Sequence, residues 1–206
     1  MAMRSRLIVA VCCALLAGTI GLLVGYCVSK NRRSKWAAYV NNMAFLPNLM
    51  PSLAVGVAFF VFGSSMGIFN TYLLLVLAGT VKYIPFASRS ALSSMMQLSG
   101  EIEEAAIIQD IPWHKRMLNI IIPIQKSSIM SGYLLPFITC VRELTLFMLL
   151  CSQTKIITTM LDYFDEMGLY AFSSGINLIL IVFILICNAL INKLTGASLD
   201  KGIGGE

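Results

Sequence analysis

The chain has 206 residues, of which 58% are hydrophobic and only 12% are charged; its mean hydropathy is +0.82. A soluble domain carries roughly 25% charged residues, so a water-soluble globule is excluded, as is disorder, which needs low hydrophobicity and high charge. The net charge of +5 resides in a few loops and is no nucleic-acid signal, which leaves an integral membrane protein.

A spanning helix needs roughly 20 apolar residues, and charge-free stretches mark the candidates. The first span is about 7–28, followed by Lys30, Arg32, Arg33 and Lys35. The stretch 36–81 also lacks charge and is too long for one span. It reads as a hairpin: a span at 43–62 with Pro47 and Pro51 near its start, a Gly/Ser/Asn turn at 63–70, and a shorter span at 71–86 whose Lys82 can snorkel to the interface. A fourth span at 127–150 carries the pair Arg142–Glu143, and a fifth covers 170–191. The runs are continuous, whereas barrel strands alternate, so the expectation is an all-α integral membrane protein, a five-helix transmembrane bundle.

Basic residues in short loops orient such a bundle. They cluster after the first span and in the segment between the third and fourth, with Arg89, Lys115, Arg116 and Lys126. The loop after the fourth span holds Lys155 against Asp162, Asp165 and Glu166, which read as a solvated face or a contact for a partner. This pattern places the N-terminus outside and the C-terminus, with Lys193 and Lys201, in the cytoplasm. Arg4 and Arg6 pull the other way; with the long apolar run they resemble a secretory signal, and a missing upstream helix in the full assembly would also explain the conflict.

Charges inside a span are costly and mark a cavity, a pathway or a partner. Arg142 and Glu143 point about 100° apart and do not simply pair with each other. Two readings stand: they line the outer half of a pathway or its gate, or they pair structurally with a neighbouring helix. Pro136 and Gly132, four residues apart, predict a kink in the same span. The six cysteines lie mostly within spans and form no C-x-x-C pair, and His114 is the single histidine. No metal site, cofactor or catalytic triad is expected, and no Gly-rich phosphate loop is present for ATP. The chain cannot by itself bind and hydrolyse ATP in that way.

The segment 87–122 is polar enough to be wet and apolar enough to dock. Residues 88–98 can be helical, and 101–109 form a second helix with Glu101, Glu103 and Glu104 in its first turn, where the helix dipole favours acids. A break at Asp110-Ile111-Pro112 follows, with Asp110 suited to an N-cap and Pro112 to the first turn of a helix over 112–120. Pro123 opens the next span. The outcome is two short helices joined at a tight corner, a knob presented to a soluble partner.

Glu104-Ala105-Ala106, three residues, Asp110, nine residues, Ile120, one residue, Ile122 and Pro123 resemble the EAA loop of type I ATP-binding cassette importer permeases. That pattern reads E-A-A, three residues, G, nine residues, I-x-L-P. Asp110 stands where the family has glycine, and Ile122 where it has leucine. Glycine there allows positive φ; Asp tolerates that region better than most residues.

The resemblance covers most of the chain and implies a single transmembrane domain over 1–206, multi-pass in a bacterial inner membrane, with 87–122 as the cytoplasmic coupling loop. It implies ATPase coupling through Glu104, Ala105, Ala106, Asp110, Ile120 and Pro123. It implies as partners an ABC ATPase dimer, a second permease subunit or half, an extracytoplasmic substrate-binding protein and lipid. The stretch Phe137–Leu150, with Arg142-Glu143-Leu144, is most similar to the ferric-ion, thiamine and aminoethylphosphonate branch, with ferric iron as a candidate substrate. The alternative expectation is a non-transporting remnant or scaffold of a split permease gene.

Overall fold

The computed structural model describes residues 2–143, 145–151 and 163–195, and its regular structure there is helical throughout. The first helix, α1 (Ala2–Lys30), is unbroken. Its stretch Leu7–Lys30 is long and apolar enough to cross a membrane. Small residues make it a close-packing surface. Ala10, Cys13, Ala14 and Ala17 are buried along one side, and Gly21 and Gly25 continue the row toward the C-terminal end. A Cβ on Gly21 would stand 2.7 Å from the backbone nitrogen of Ser88, and one on Gly25 2.7 Å from that of Leu92. The two helix backbones therefore touch, as small-x-x-x-small spacing permits.

After a turn, Ser34 caps α2 (Lys35–Leu49) by accepting from the Trp36 amide at 3.3 Å. The expected single span at 43–62 is in fact broken: α2 and α3 (Ser52–Ser65) meet at 101°. The cause is Pro51, which drives Met50 out of the helical region, to φ −88° and ψ 133°. Carbonyls at the end of α2 lose their helical partners. Those of Pro47 (3.1 Å) and Met50 accept instead from Lys82 Nζ. Lys82, read from the sequence as able to reach the interface, is held at the corner by these two carbonyls.

Thr71 caps α4 (Tyr72–Gln97), the central helix. The sequence reading ends the span at 86 and gives 88–98 as a separate helical part; the two are one helix, because Pro85 occupies a buried position within it and Ala87, Ser88, Ser90, Ala91 and Ser94 bury against α1 and α8. The loop expected from 87 thus begins as a rigid extension of α4. It continues as α5 (Gly100–Ile108), capped by Ser99. Next come α6 (Trp113–Arg116), a π-helical turn over Met117–Ile121 and α7 (Ile122–Ile124). Pro123 does not open the next span; it lies within α7, where its missing N–H follows the wide π turn.

The helix α8 (Lys126–Arg142) contains Pro136 and stops at Glu143, which is extended (φ −68°, ψ 123°). A short α9 (Thr145–Leu150) follows. The expected span 127–150 is thus two helices. The last, α10 (Tyr170–Thr195), packs on α8. Lys155 and Asp162 lie outside the described residues.

One buried cluster joins α1, α4, α8 and α9 through Cys13, Leu74, Tyr83, Val141 and Phe147. A second joins Leu22, Tyr26, Ala91 and Met95 to Met117, Ile121 and Ile129. Large apolar side chains such as Leu15, Leu53, Val61, Leu73 and Ile181 cover the outside, as a lipid or subunit contact requires. Replacing Gly21 by Val should cost about 1–3 kcal/mol through overpacking, read as a lower melting temperature of the purified protein, whereas Gly175→Ala, which meets open space, should melt like the parent.

Candidate functional site

Two places concentrate the polar chemistry. The first is the corner between α5 and α6. Asp110 has φ +54°. Its N–H donates to the Ile107 carbonyl at 2.9 Å, and the Ile111 N–H to that of Ala106 at 3.1 Å. Those two bonds, closing a helix on a left-handed residue, form a Schellman motif, whose left-handed position glycine ordinarily fills. Gly67 and Gly168, at φ +69° and +72°, end two other helical segments with the same pair of bonds. Asp110 is therefore not the N-cap of α6; Pro112 takes that position.

Around this corner Glu104, Ala105 and Asp110 are exposed, Ala106 is buried, Ile120 is half-buried in the π turn, and Pro123 is exposed. Ile108, at 82% exposure, and Leu118 also stand clear. Behind the corner, on the opposite side of α5, lies a residue the sequence reading passed over. Glu103 is 6% exposed. Its Oε1 accepts from the Tyr26 hydroxyl at 2.6 Å, and its Oε2 pairs with Lys30 Nζ. Burial alone would raise its pKa. Hydrogen bonds from Lys30 and Tyr26, together with the charges of Lys30 and Arg116, outweigh burial and hold the carboxyl below its ordinary value. The signal for this pairing was Tyr26 and Lys30, four apart at the end of an apolar helix.

The second place gathers the two helix breaks. Glu143 Oε2 accepts from the Tyr83 hydroxyl at 2.6 Å and from Ser52 Oγ at 3.4 Å. Its Oε1 accepts from the Leu146 amide at 3.2 Å, capping α9. Lys82, the neighbour of Tyr83, holds the end of α2. Adjacent residues of α4 thus brace both the α2–α3 corner and the α8–α9 break. Lys82 lies roughly 15 Å along α4 from its start and is half-buried. Arg142 does not join this cluster; it is exposed at the end of α8 and forms no ion pair with a described residue. Among the described residues no group of His, Cys, Asp and Glu is arranged to hold a metal.

The family model of the binding-protein-dependent transport system inner membrane component matches residues 17–198. The chain belongs to this family. It is accordingly a membrane-embedded permease subunit of an ABC importer. Among solved structures, a chain of the MetNI methionine ABC transporter, in inward-facing conformation, has the same fold. The TM-score is 0.81 at 13% identity, over 94% of this chain and 93% of that one. No curated protein matches significantly.

Two outcomes follow for this permease. The left-handed Asp110 makes Asp110→Gly neutral or stabilising by up to about 1 kcal/mol, and Asp110→Val, whose β-branch resists positive φ, destabilising by about 1–3 kcal/mol; thermal melts of the two variants against the parent check both. The lowered pKa of Glu103 stabilises the fold above the unfolded-state value, near the ordinary 4.5, and that contribution is lost as pH falls through the lower folded value. Melting temperature should drop on acidification through this range, and less steeply in Glu103→Gln.

Proposed function

We propose that this permease forms a translocation pathway with a second copy or a related half, and that residues 100–124 dock on a soluble ATPase dimer that drives alternating access. The observation that carries this reading is the Asp110 corner: two short helices, closed on a left-handed residue at the family's glycine position, with Glu104, Ile108 and Leu118 exposed around it. A compact knob of this kind offers an acidic group and apolar side chains to a groove on a partner, with little to order on binding. Ala105, Ile120 and Pro123 complete the coupling set.

Glu143, with Ser52 and Tyr83, lines the pathway or its gate in this reading. Non-helical backbone at membrane depth is tolerated only inside protein or beside a water-filled cavity, and the two breaks meet at this carboxylate. Arg142 adds a cation at the mouth. An extracytoplasmic binding protein delivers the solute, with the N-terminus outside and the C-terminus in the cytoplasm. The Phe137–Leu150 stretch supports the ferric-ion, thiamine and aminoethylphosphonate branch, and ferric iron is the substrate to try first.

The test is purification of the complex from its native membrane. The ATPase should co-purify with the parent, and Glu104→Lys, which reverses charge on the exposed knob, should weaken that association by tenfold or more, on the order of 1.4 kcal/mol, while insertion stays intact. Undiminished ATPase retention by Glu104→Lys and by a second variant, Ile108→Glu, would count against docking through this loop.

A further inference from the structure

Glu103 faces away from the exposed surface that carries Glu104 and Asp110, so docking through that surface does not account for it. It is the buried end of a junction: its carboxylate is held by Tyr26 and Lys30, both on the last turns of α1. The ring of Trp113, on α6, stands edge-on to that of Tyr26 at 6.2 Å between centroids. Met117 and Ile121, in the π turn, are buried in one cluster with Leu22 and Tyr26. Both arms of the Asp110 corner therefore converge on one end of one helix.

We propose that the Tyr26–Lys30–Glu103 junction carries motion of the ATPase-docking loop into α1, with Glu103 as the positioning residue. This rests on the reading of the loop as the ATPase contact. The helix α5 does not lie along α1 and reaches it through these side chains, so the ion pair is the attachment on that arm. Breaking one partner of such a pair leaves an uncompensated buried charge, which makes the attachment stiff. Beyond it α1 is unbroken to its N-terminal end, and its backbone rests on α4 at Gly21 and Gly25. The helix α8 packs on both, so a displacement at Lys30 moves α1, α4 and α8 as one body past α10, whose main contact among the described helices is a slight one with α8.

The experiment uses the complex purified with its ATPase, in a cysteine-free background bearing spin labels at Leu15→Cys on α1 and Ile181→Cys on α10, both exposed sites. Distances are measured without nucleotide and with Mg-ATP plus vanadate. The parent should show a nucleotide-dependent shift. Glu103→Gln should keep the ATPase bound but lose most of the shift. Glu103→Lys and Lys30→Glu should lose it singly and regain it together. An unchanged shift in Glu103→Gln, or an ATPase-bound parent that shows none, overturns the proposal, as does a charge-swapped pair that assembles without regaining the shift. If the single charge reversals fail to assemble, Glu103→Gln decides alone. A parent that binds no ATPase would overturn the docking reading beneath it.

Discussion

Contact between the backbones of α1 and α4 is the constraint on which the rest of this permease depends. In lipid there is no hydrophobic gain from pairing two apolar helices, so association rests on close packing. Gly21 and Gly25 let the α1 backbone reach Ser88 and Leu92, and no side chain of any size fits between. The pair then fixes everything attached to it. One end bears the Asp110 corner through the second buried cluster, and the body of α4 bears the two helix breaks through Lys82 and Tyr83.

Both polar assemblies obey one rule. A charge removed from water must be met by hydrogen bonds or an opposite charge. Lys82 is met by the freed carbonyls of a broken helix, Glu143 by two hydroxyls and the Leu146 amide of α9, and Glu103 by Lys30 and Tyr26. Each solution joins two segments distant in sequence, so each polar residue fixes an angle or a position that apolar packing alone leaves free.

Much of this was legible in the residues. The membrane class followed from composition, and the family from the spacing between Glu104 and Pro123. The positive φ at Asp110 was one of two readings the sequence left open, and the Schellman bonds decide it. What was not legible depended on partners far along the chain. Pro51 announces a break, but whether an apolar run continues straight past a proline depends on what receives its carbonyls; here Lys82 does. The helix at 88–98 was legible but its continuity with the span before it was not, because Pro85 and the polar Ser88, Ser90 and Ser94 suggest a break, although all four are small enough to bury against a neighbour. Glu103 looked like one more acid in a first turn until its partners on α1 were in place.

The corner between α2 and α3 has a consequence for biosynthesis. At about 1.5 Å per residue, α2 and α3 are each roughly 20 Å long, short of a hydrocarbon layer of about 30 Å. Neither is a finished crossing when it leaves the ribosome, and the carbonyls of Pro47 and Met50 have then no donor. Lys82 emerges only later, within α4. The corner therefore depends on a helix made after it: its carbonyls gain their donor only once α4 is in place beside them.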